Sequence, residues 1–258
     1  MINATKKIYY EDVYLITCKT RIVSIGDDYI ETESTVAYPE GGGQESDNGF
    51  ISTAMGIVMH FVDVAKTPVS QVYGSDQGVS SVPESEPGDV IRHKLDPDDI
   101  CKLVDLRPGM EVVISIDVNR RARLSLSHSA SHLLYVAVGS VRKNILDNVI
   151  GCHIKTDGAR FDFMTDKRFT SDELEIVQEI ANDLVRRDLP VRLYEKDPTS
   201  YLRYWECDGH TIPCGGTHVS RTGLIGELTV KRRGVGKNKE RLFCVFPESK
   251  PEINKYHE

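Results

Sequence analysis

The chain has 258 residues, of which 40% are hydrophobic and 28% are charged, and its formal net charge at pH 7 is −7. At about 100 to 200 residues per domain, this length predicts one large domain or two ordinary ones, and the composition excludes a mainly disordered or fibrous chain. The apolar runs are only a few residues long and no apolar leader precedes them, so we expect a cytoplasmic protein without a membrane span or a processed signal.

The charge is distributed unevenly along the chain. Residues 1–100 carry 7 basic and 17 acidic side chains, a net charge of −10, whereas residues 101–258 carry 25 basic and 22 acidic ones, a net charge of +3. The second part of the chain is therefore the better candidate for contact with a polyanion.

Short strand-like segments dominate the first half of the chain. They are rich in β-branched residues or alternate apolar with polar ones, and turn-forming residues separate them. The predicted strands cover residues 13–18, 21–25, 29–38, 56–64 and 111–117. This spacing predicts a small antiparallel β-barrel or sandwich over residues 1–119. Inside it, residues 74–89 are rich in Gly, Ser, Pro and acidic side chains and are predicted to form a long solvated loop.

The periodicity changes after Asp117. Apolar residues at steps of three and four predict one buried face of a helix that ends near Leu146. These apolar residues are Leu126, Ala130, Leu133, Ala137 and Val141. A second helix is predicted from Ser171 to Arg187, with Ser171 as its N-cap. Strand-like segments cover residues 148–156, 159–164, 189–195, 226–233 and 241–246. Residues 120–258 are therefore predicted to form an α+β domain.

Two short motifs of this domain contain metal-ligating residues. His128 and His132 are four residues apart, so on a helix both imidazoles lie on one face and can reach one ion. Cys214 and His218 flank a Gly-Gly-Thr segment, in which glycine is expected to adopt positive φ and turn both side chains toward one cation. Together the four residues form a His₃Cys set that is suited to Zn²⁺.

A second combination of ligands lies within one short segment. Cys207, His210, Cys214 and His218 have the spacing C-x2-H-x3-C-x3-H, which fits a local structural zinc knuckle without the helix histidines. Structural sites commonly take their ligands from one such segment. From the residues alone, both ligand sets remain open.

A glycine-rich motif interrupts the predicted strands of the first half. Gly41, Gly42, Gly43 and Gln44 follow Tyr38-Pro39-Glu40, and successive glycines expose backbone N–H groups to a ligand. The motif is neither a P-loop nor a dinucleotide fingerprint, because no GK[ST] sequence and no helix follow it. A lone glycine run of this kind is more often a tight β connection than a binding loop.

A basic segment near the end of the chain is predicted to form a hairpin around Gly234 and Gly236. Its cations are Lys231, Arg232, Arg233, Lys237, Lys239 and Arg241. They face a single acidic residue, Glu240, so the hairpin is a candidate for phosphate contacts, while a solvated hairpin end remains the alternative.

These motifs in combination resemble the AlaX family, freestanding relatives of the editing domain of alanyl-tRNA synthetase that share the metal motif with the threonyl-tRNA synthetase editing domain. The resemblance covers most of the chain. It rests on the segments YPEGGGQESDNG, VNRRARLSLSHSASHLL, GARFDF, PCGGTHVSRTGLIG and KRRGVGKNKERLFCVF. A glycine-rich domain ahead of the metal domain is similar to the medium-length type of the family.

The resemblance implies an N-terminal β-barrel domain, residues 1–119, that carries the glycine-rich motif. It implies that residues 120–258 form an α+β zinc-containing editing domain, with helices packed on an antiparallel sheet. It also implies that His128, His132, Cys214 and His218 hold Zn²⁺, which favours this set over the local knuckle, and that the basic hairpin meets transfer RNA. Cys207 and His210 depart from the pattern as additional ligands near the site.

The activity implied by the resemblance is trans-editing, the hydrolysis of the ester bond in mischarged tRNA(Ala). We expect seryl-tRNA(Ala) as substrate and glycyl-tRNA(Ala) as a second one, because a site that hydrogen-bonds the serine hydroxyl discriminates strongly against alanine. Asp208, Thr217 and Gln44 are the candidate residues for this hydroxyl or for catalysis. The alternatives are a non-catalytic RNA-binding module with a zinc knuckle and a zinc hydrolase of a small ester or amide.

Overall fold

The computed structural model describes residues 4–69, 88–196 and 202–258. Residues 74–87 of the predicted long loop lie outside the described residues. The chain divides into two compact units. The first contains Met1–Glu40, Ser46–Val118 and Asn254–Glu258, and the second contains Gly41–Glu45 and Asn119–Ile253. The glycine-rich motif, which was expected in the barrel domain, therefore groups with the second unit.

The first unit is built on a closed six-stranded barrel, which confirms the predicted β-barrel. Its strands are β2 (Thr17–Ile25), β3 (Tyr29–Thr32), β5 (Gly49–Thr53), β6 (Val58–Pro68), β7 (Asp89–Leu95) and β8 (Glu111–Ile116). Around the barrel they follow the order β2-β3-β7-β6-β5-β8, and each neighbouring pair is antiparallel. Two short segments, β1 (Lys6–Lys7) and β4 (Ser34–Thr35), form a parallel pair. Inward-facing side chains such as Ile51, Phe61 and Ile114 fill the interior.

The barrel differs from the predicted strands in several places. The predicted strand 29–38 is divided into β3 and β4, and β5 (Gly49–Thr53) was not predicted. The segments 13–18 and 21–25 were predicted as separate strands, but Lys19 and Thr20 continue the pairing with β8, so Thr17–Ile25 is one strand. The strand β7 was not predicted. Its interior positions include His93, a buried polar residue that interrupts the apolar alternation on which the prediction depended.

The second unit is α+β, as predicted. Its helices are α1 (Val118–Val141) and α2 (Ser171–Arg186). Its strands are β9 (Val149–Lys155), β10 (Gly158–Met164), β11 (Arg192–Glu195), β12 (Arg203–Cys207), β13 (His210–Pro213), β14 (Thr229–Gly234) and β15 (Lys239–Val245). They form a four-stranded antiparallel sheet in the order β14-β15-β10-β9 and a three-stranded one in the order β11-β12-β13.

The helix α1 ends at Val141, five residues before the predicted end at Leu146. Arg142 is the first residue after the helix, and its guanidinium donates to both carboxylate oxygens of Glu173 at 2.7 Å and lies 4.0 Å from the ring centre of Phe169. The backbone then turns, and residues from Leu146 continue as a short 3-10 helix.

The N-cap of α2 is Thr170 and not the predicted Ser171. The Thr170 hydroxyl accepts the backbone N–H of Glu173 at 3.2 Å, and the Glu173 carboxylate accepts the backbone N–H of Thr170 at 2.8 Å. This reciprocal capping box satisfies two donors that a helix start leaves without partners. The helix ends at Arg186, with Arg187 as its C-cap.

One hydrophobic core joins α1, α2 and the four-stranded sheet of the second unit. The predicted apolar face of α1 is confirmed, because Leu126, Ala130, Leu133 and Ala137 are fully buried and Val141 packs against them partly buried. Within the described residues, neither long helix has the combination of length and hydrophobicity that a membrane span requires.

Candidate metal centre

The two helix histidines lie one turn apart in the middle of α1. His128 is 3% exposed and His132 is 6% exposed, and their ring centroids are 5.0 Å apart. Neighbours on the helix such as Leu126 and Leu133 belong to the core of the second unit. The packing of the helix therefore holds both imidazoles inside the unit.

The segment with Cys214 and His218 follows β13 and passes directly over α1. A Cβ atom at Gly216 would lie 2.1 Å from Cε1 and 2.2 Å from Nδ1 of His128, so only glycine allows this approach. The expectation that the glycines adopt positive φ was wrong, since neither Gly215 nor Gly216 has a positive φ. Glycine is needed at position 216 because the imidazole of His128 fills the space of a side chain.

Four candidate ligands converge at this point. The Sγ atom of Cys214 lies 3.4 Å from Nε2 of His128 and 3.2 Å from Nε2 of His218. With His132 included, the four ligand atoms lie within 4.8 Å of one another. Among the described residues, no other group of three or more His, Cys, Asp or Glu side chains converges in this way.

Gln44 determines which nitrogen of His128 faces this cluster. Its Oε1 atom accepts the backbone N–H of Thr217 at 3.1 Å and lies 2.7 Å from Nδ1 of His128. Because the partner at Thr217 is an N–H donor, this atom of Gln44 is the amide oxygen, and Nδ1 of His128 carries the hydrogen. The lone pair of the neutral imidazole is then on Nε2, the atom that faces Cys214.

Thr217 is part of the same buried network. Its hydroxyl accepts hydrogen bonds from Nε2 of Gln44 at 3.0 Å and from the hydroxyl of Ser125 at 2.9 Å. The Thr217 hydroxyl donates its own hydrogen to Oε1 of Gln44 at 3.4 Å. The hydroxyl of Thr217 thus uses its hydrogen-bonding capacity to lock the glycine-rich motif, α1 and the Cys214–His218 segment together.

The backbone of the glycine-rich motif is folded into a tight turn. Gly41 and Gln44 exchange backbone hydrogen bonds at 3.1 and 3.0 Å, while Gly42 and Gly43 have φ values of +59° and +86°. The carbonyl of Gly43 accepts the backbone N–H of Ile154 in β9 at 2.7 Å. A Cβ at Gly43 would lie 2.9 Å from the sulfur of Cys152. The motif is therefore a turn that presents Gln44 to the cluster.

Ser129 holds His218 against α1. Its hydroxyl accepts the backbone N–H of Val219 at 3.1 Å and lies 3.1 Å from Nδ1 of His218, which leaves Nε2 toward Cys214. Ser125 and Ser129 were not among the predicted site residues. Helical spacing would have identified them, because Ser125, His128, Ser129 and His132 follow the steps i, i+3, i+4 and i+7 along one stripe.

Burial controls the protonation of the cluster. Desolvation lowers the pKa of His128 to about 3, and it lowers the pKa values of His132 and His218 well below the usual value for histidine. Desolvation also raises the pKa of the Cys214 thiol to about 11, although the backbone N–H of Gly216 donates to the sulfur at 3.4 Å. The imidazoles are consequently neutral at pH 7, and neutral imidazole is the form that binds metals.

The residues present fit a zinc-type cation. Three buried imidazoles and one thiol are the donor types of Zn²⁺ sites. Nδ1 of His132 is buried and has no hydrogen-bond partner within the described part of the chain, and the same holds for Nε1 of Trp205, whose ring lies edge-on to His132 at 4.8 Å. An unpaired buried polar atom costs about 1 to 3 kcal/mol, and a cation bound at Nδ1 of His132 would offset that cost. The indole N–H of Trp205 only donates, so a cation does not satisfy it.

The local knuckle is not assembled. Cys207 and His210 face each other across the β12–β13 pairing, Cys207 is buried, His210 is exposed, and neither joins the cluster. Asp208 lies in the turn between these strands, where its carboxylate accepts two hydrogen bonds from Arg187 at 2.8 and 2.6 Å. The structure therefore does not bring Asp208 to the candidate metal centre.

The predicted basic hairpin forms from β14 and β15. Arg232 is neutralised by Glu240, with Nε and Oε2 2.8 Å apart, and Arg241 donates to both oxygens of Asp162 in β10 at 2.6 and 2.9 Å. The other four cations of the segment are exposed, and they are Lys231, Arg233, Lys237 and Lys239.

Comparisons with known proteins identify relatives of this chain. Residues 191–242 match the family model of the threonyl and alanyl tRNA synthetase second additional domain. The chain is 29% identical over 243 residues to the alanyl-tRNA editing protein AlaX-M of Pyrococcus horikoshii, a match that covers 94% of this chain and 98% of that protein.

Two ligases show similar identity over a smaller part of their length. The alanine–tRNA ligases of Ignicoccus hospitalis and Pyrococcus abyssi are 29% and 30% identical to this chain, covering 88% of it and 24% of each ligase. The chain thus spans about a quarter of the length of these ligases and nearly the whole length of AlaX-M. It is thus similar to AlaX-M over nearly its whole length, and it carries a match to the domain that threonyl- and alanyl-tRNA synthetases share.

Proposed function

We propose that this chain is a trans-editing aminoacyl-tRNA deacylase that acts in the cytoplasm on mischarged tRNA(Ala). The observation that carries the proposal is the convergence of His128 and His132 with Cys214 and His218, from two segments about 80 residues apart, in a chain that aligns with nearly all of an AlaX-M protein. In this proposal the substrates are seryl-tRNA(Ala) and, second, glycyl-tRNA(Ala).

The residues that would hold Zn²⁺ are the four members of the cluster. When bound, the ion supplies a positive charge that can polarise an ester carbonyl or orient the substrate amino group. The chain's own contribution is the rigid frame around it. Gln44 and Ser129 orient the rings of His128 and His218, and Thr217 fixes Gln44, so the ligand atoms need little rearrangement on binding.

The reaction requires little acid–base assistance from the protein. An aminoacyl ester is already activated, so positioning of the ester and of a water molecule supplies most of the rate enhancement. The proposed preference for serine follows from hydrogen bonding, because a site that pairs with the hydroxyl leaves polar groups unpaired when alanine occupies it. Among the candidates for this contact, Asp208 is not at the cluster. Gln44 and Thr217 are at the cluster, where their side chains already pair with each other.

The experiment that tests the proposal is deacylation of Ser-tRNA(Ala), Gly-tRNA(Ala) and Ala-tRNA(Ala) by the wild type and by two matched variants. His128→Ala removes a ligand and is expected to abolish hydrolysis of the seryl ester. Cys207→Ala removes a buried thiol outside the cluster and is expected to retain most of the activity.

The outcomes test the deacylase proposal against a small-ester hydrolase, and the four-residue site against the local knuckle. A wild type that leaves all three substrates intact contradicts the deacylase proposal. Equal hydrolysis of a small seryl ester and of seryl-tRNA(Ala) would point to a small-ester hydrolase. Activity that survives His128→Ala but is lost with Cys207→Ala would favour the local knuckle, against the geometry of the cluster.

A further inference from the structure

The four-stranded sheet of the second unit has an outer face, which we define as the face opposite its hydrophobic core. Along β15, Leu242 and Cys244 are fully buried in the core, so Arg241, Phe243 and Val245 point to the outer face. The register extends this face across all four strands. It carries the basic residues Lys155, Arg160, Lys231, Arg233, Lys239 and Arg241.

A cavity of about 340 Å³ lies in the outer face. Its lining includes Lys155, Arg160, Arg233, Arg241 and Phe243, and all of its lining residues belong to the second unit. Its volume is at the lower end of the range of small-molecule sites. Four cations, one aromatic ring and one carboxylate, that of Asp157, thus line one concave surface.

One carboxylate orients two of these cations. Asp162 accepts two hydrogen bonds from Arg241 and also pairs with Arg160, which precedes it by two residues on the same face of β10. A single carboxylate balances only one of the two guanidinium groups. The arrangement therefore holds two planar donor groups in place and leaves an excess positive charge beside the cavity.

Arg233 adds a like charge directly opposite Arg241. The two residues are cross-strand partners in the β14–β15 pairing. Like charges in this position destabilise a sheet. Across residues 4–69, 88–196 and 202–258, neither Arg233 nor Lys155 has an ion pair or a side-chain hydrogen bond. A bound anion would relieve this repulsion.

Phe243 adds an aromatic ring to the cations of this surface. It is partly exposed and lies between Lys231 and Arg160, its cross-strand neighbours on the two sides. A partly exposed ring with cations on both sides matches single-stranded RNA recognition, in which a base stacks on the ring and phosphates meet the cations.

We propose that the outer face binds an unpaired nucleotide of the transfer RNA substrate, with the base stacked on Phe243 and the flanking phosphates at Arg160, Arg233 and Arg241. The proposal rests on the proposed function for the identity of the RNA. It differs from a general contact at the hairpin tip, because it includes side chains of β9 and β10 and assigns a stacking role to one ring.

The test is binding of uncharged tRNA(Ala) transcript, measured by fluorescence anisotropy as a function of salt. Arg233→Gln is expected to weaken binding. It should also reduce the slope of log binding constant against log salt concentration by about one, the contribution of one phosphate contact. Phe243→Leu is expected to weaken binding about tenfold while the salt slope stays unchanged, because stacking releases no counterions. The matched control is Arg186→Gln, an exposed arginine of α2 paired with Glu179, which is expected to bind like the wild type.

A second measurement uses the wild type alone, so that it does not depend on the folding of a variant. Ultraviolet crosslinking of the complex, followed by mass spectrometry, is expected to place the nucleotide adduct on the peptide that contains Phe243. The proposal is overturned if wild-type protein does not bind the transcript, if the adducts lie outside the outer face, or if Arg186→Gln weakens binding as much as Arg233→Gln.

Failure of the RNA-binding proposal can be distinguished from failure of the deacylase proposal. Loss of transcript binding in the two outer-face variants, together with a wild type that deacylates nothing, supports the RNA site and contradicts the deacylase. Unchanged transcript binding in both variants, together with active wild-type deacylation, overturns the RNA site and leaves the deacylase intact.

Discussion

The amide oxygen of Gln44 lies 2.7 Å from Nδ1 of His128, although the two residues are 84 positions apart in the chain. The same oxygen accepts the backbone N–H of Thr217, so Gln44 fixes both the tautomer of a candidate metal ligand and the position of the segment that carries two more. A residue that hydrogen-bonds to a metal ligand commonly raises the metal affinity by roughly 10- to 100-fold.

Gln44→Leu is therefore expected to weaken zinc binding by about 10- to 100-fold. The leucine cannot accept from His128 or Thr217, so the imidazole loses its preference for the tautomer with a free Nε2. Competition with a chromophoric chelator measures the affinity. Gln178→Leu is the matched control, because Gln178 also accepts a backbone N–H, that of Val230 at 2.9 Å, away from the cluster. Equal loss of affinity in both variants would contradict the role of Gln44.

Gly216→Ala is expected to disrupt the metal centre, since the new methyl group would collide with the ring of His128 at 2.1 Å. The ring and the Cys214–His218 segment have to separate, so we expect at least about tenfold weaker zinc binding. Gly234→Ala controls for the general effect of the substitution, because the nearest atom to its Cβ would be Glu240 Oε1 at 4.0 Å. Tight zinc binding by Gly216→Ala would show that the approach of the two segments is not needed.

Zinc binding is expected to change the intrinsic fluorescence of the protein. Trp205 is the only tryptophan of the chain, and its ring lies 4.8 Å from that of His132. Titration of chelator-treated protein with Zn²⁺ should change the emission until one ion per chain has bound. The change should be absent in Cys214→Ser and retained in Cys207→Ser. A stoichiometry of two, or a response that depends on Cys207, would contradict the four-residue site.

The barrel is expected to lose stability below neutral pH because of His93. This residue is fully buried, with Nδ1 3.1 Å from the Ile30 carbonyl and Nε2 2.8 Å from the Thr35 hydroxyl, and desolvation lowers its pKa from 6.5 to about 4. As the pH falls, the imidazole of His93 therefore takes up its proton at a higher pH in the unfolded chain than in the folded one. Stability is full above pH 6.5 and falls as the pH decreases toward 4, by roughly 3 kcal/mol in total at ~1.4 kcal/mol per pKa unit.

Hydrogen exchange of the barrel amides in urea, corrected for intrinsic rates, measures this loss. His93→Gln keeps a donor and an acceptor without a titratable ring, so its barrel should show a much weaker pH dependence in the same range. His60→Gln replaces a histidine of the same barrel that is partly exposed, and it serves as the control. A wild-type barrel with constant stability between pH 6.5 and 4 would contradict the prediction.

The periodicity of the sequence was sufficient to predict elements in which buried and exposed residues alternate regularly. The apolar steps from Leu126 to Ala137 predicted the buried face of α1, and the alternating segments of the first half predicted the barrel. Where a polar residue occupies a buried position, as His93 does in β7, the pattern fails, because the hydrogen bonds that allow its burial come from residues distant in the chain. The contacts of Arg142, the residue after α1, with Glu173 and Phe169 likewise join segments that are distant in the chain.

The sequence by itself determined the ligand types of the candidate metal centre and its helical pair, because four-residue spacing on a helix is a local property. It left open whether Cys214 and His218 join that pair or join Cys207 and His210. Only the tertiary structure decided this, by packing the segment so closely over α1 that Gly216 touches the ring of His128. It also placed Gln44 beside that ring, a contact between distant segments that no local spacing contains.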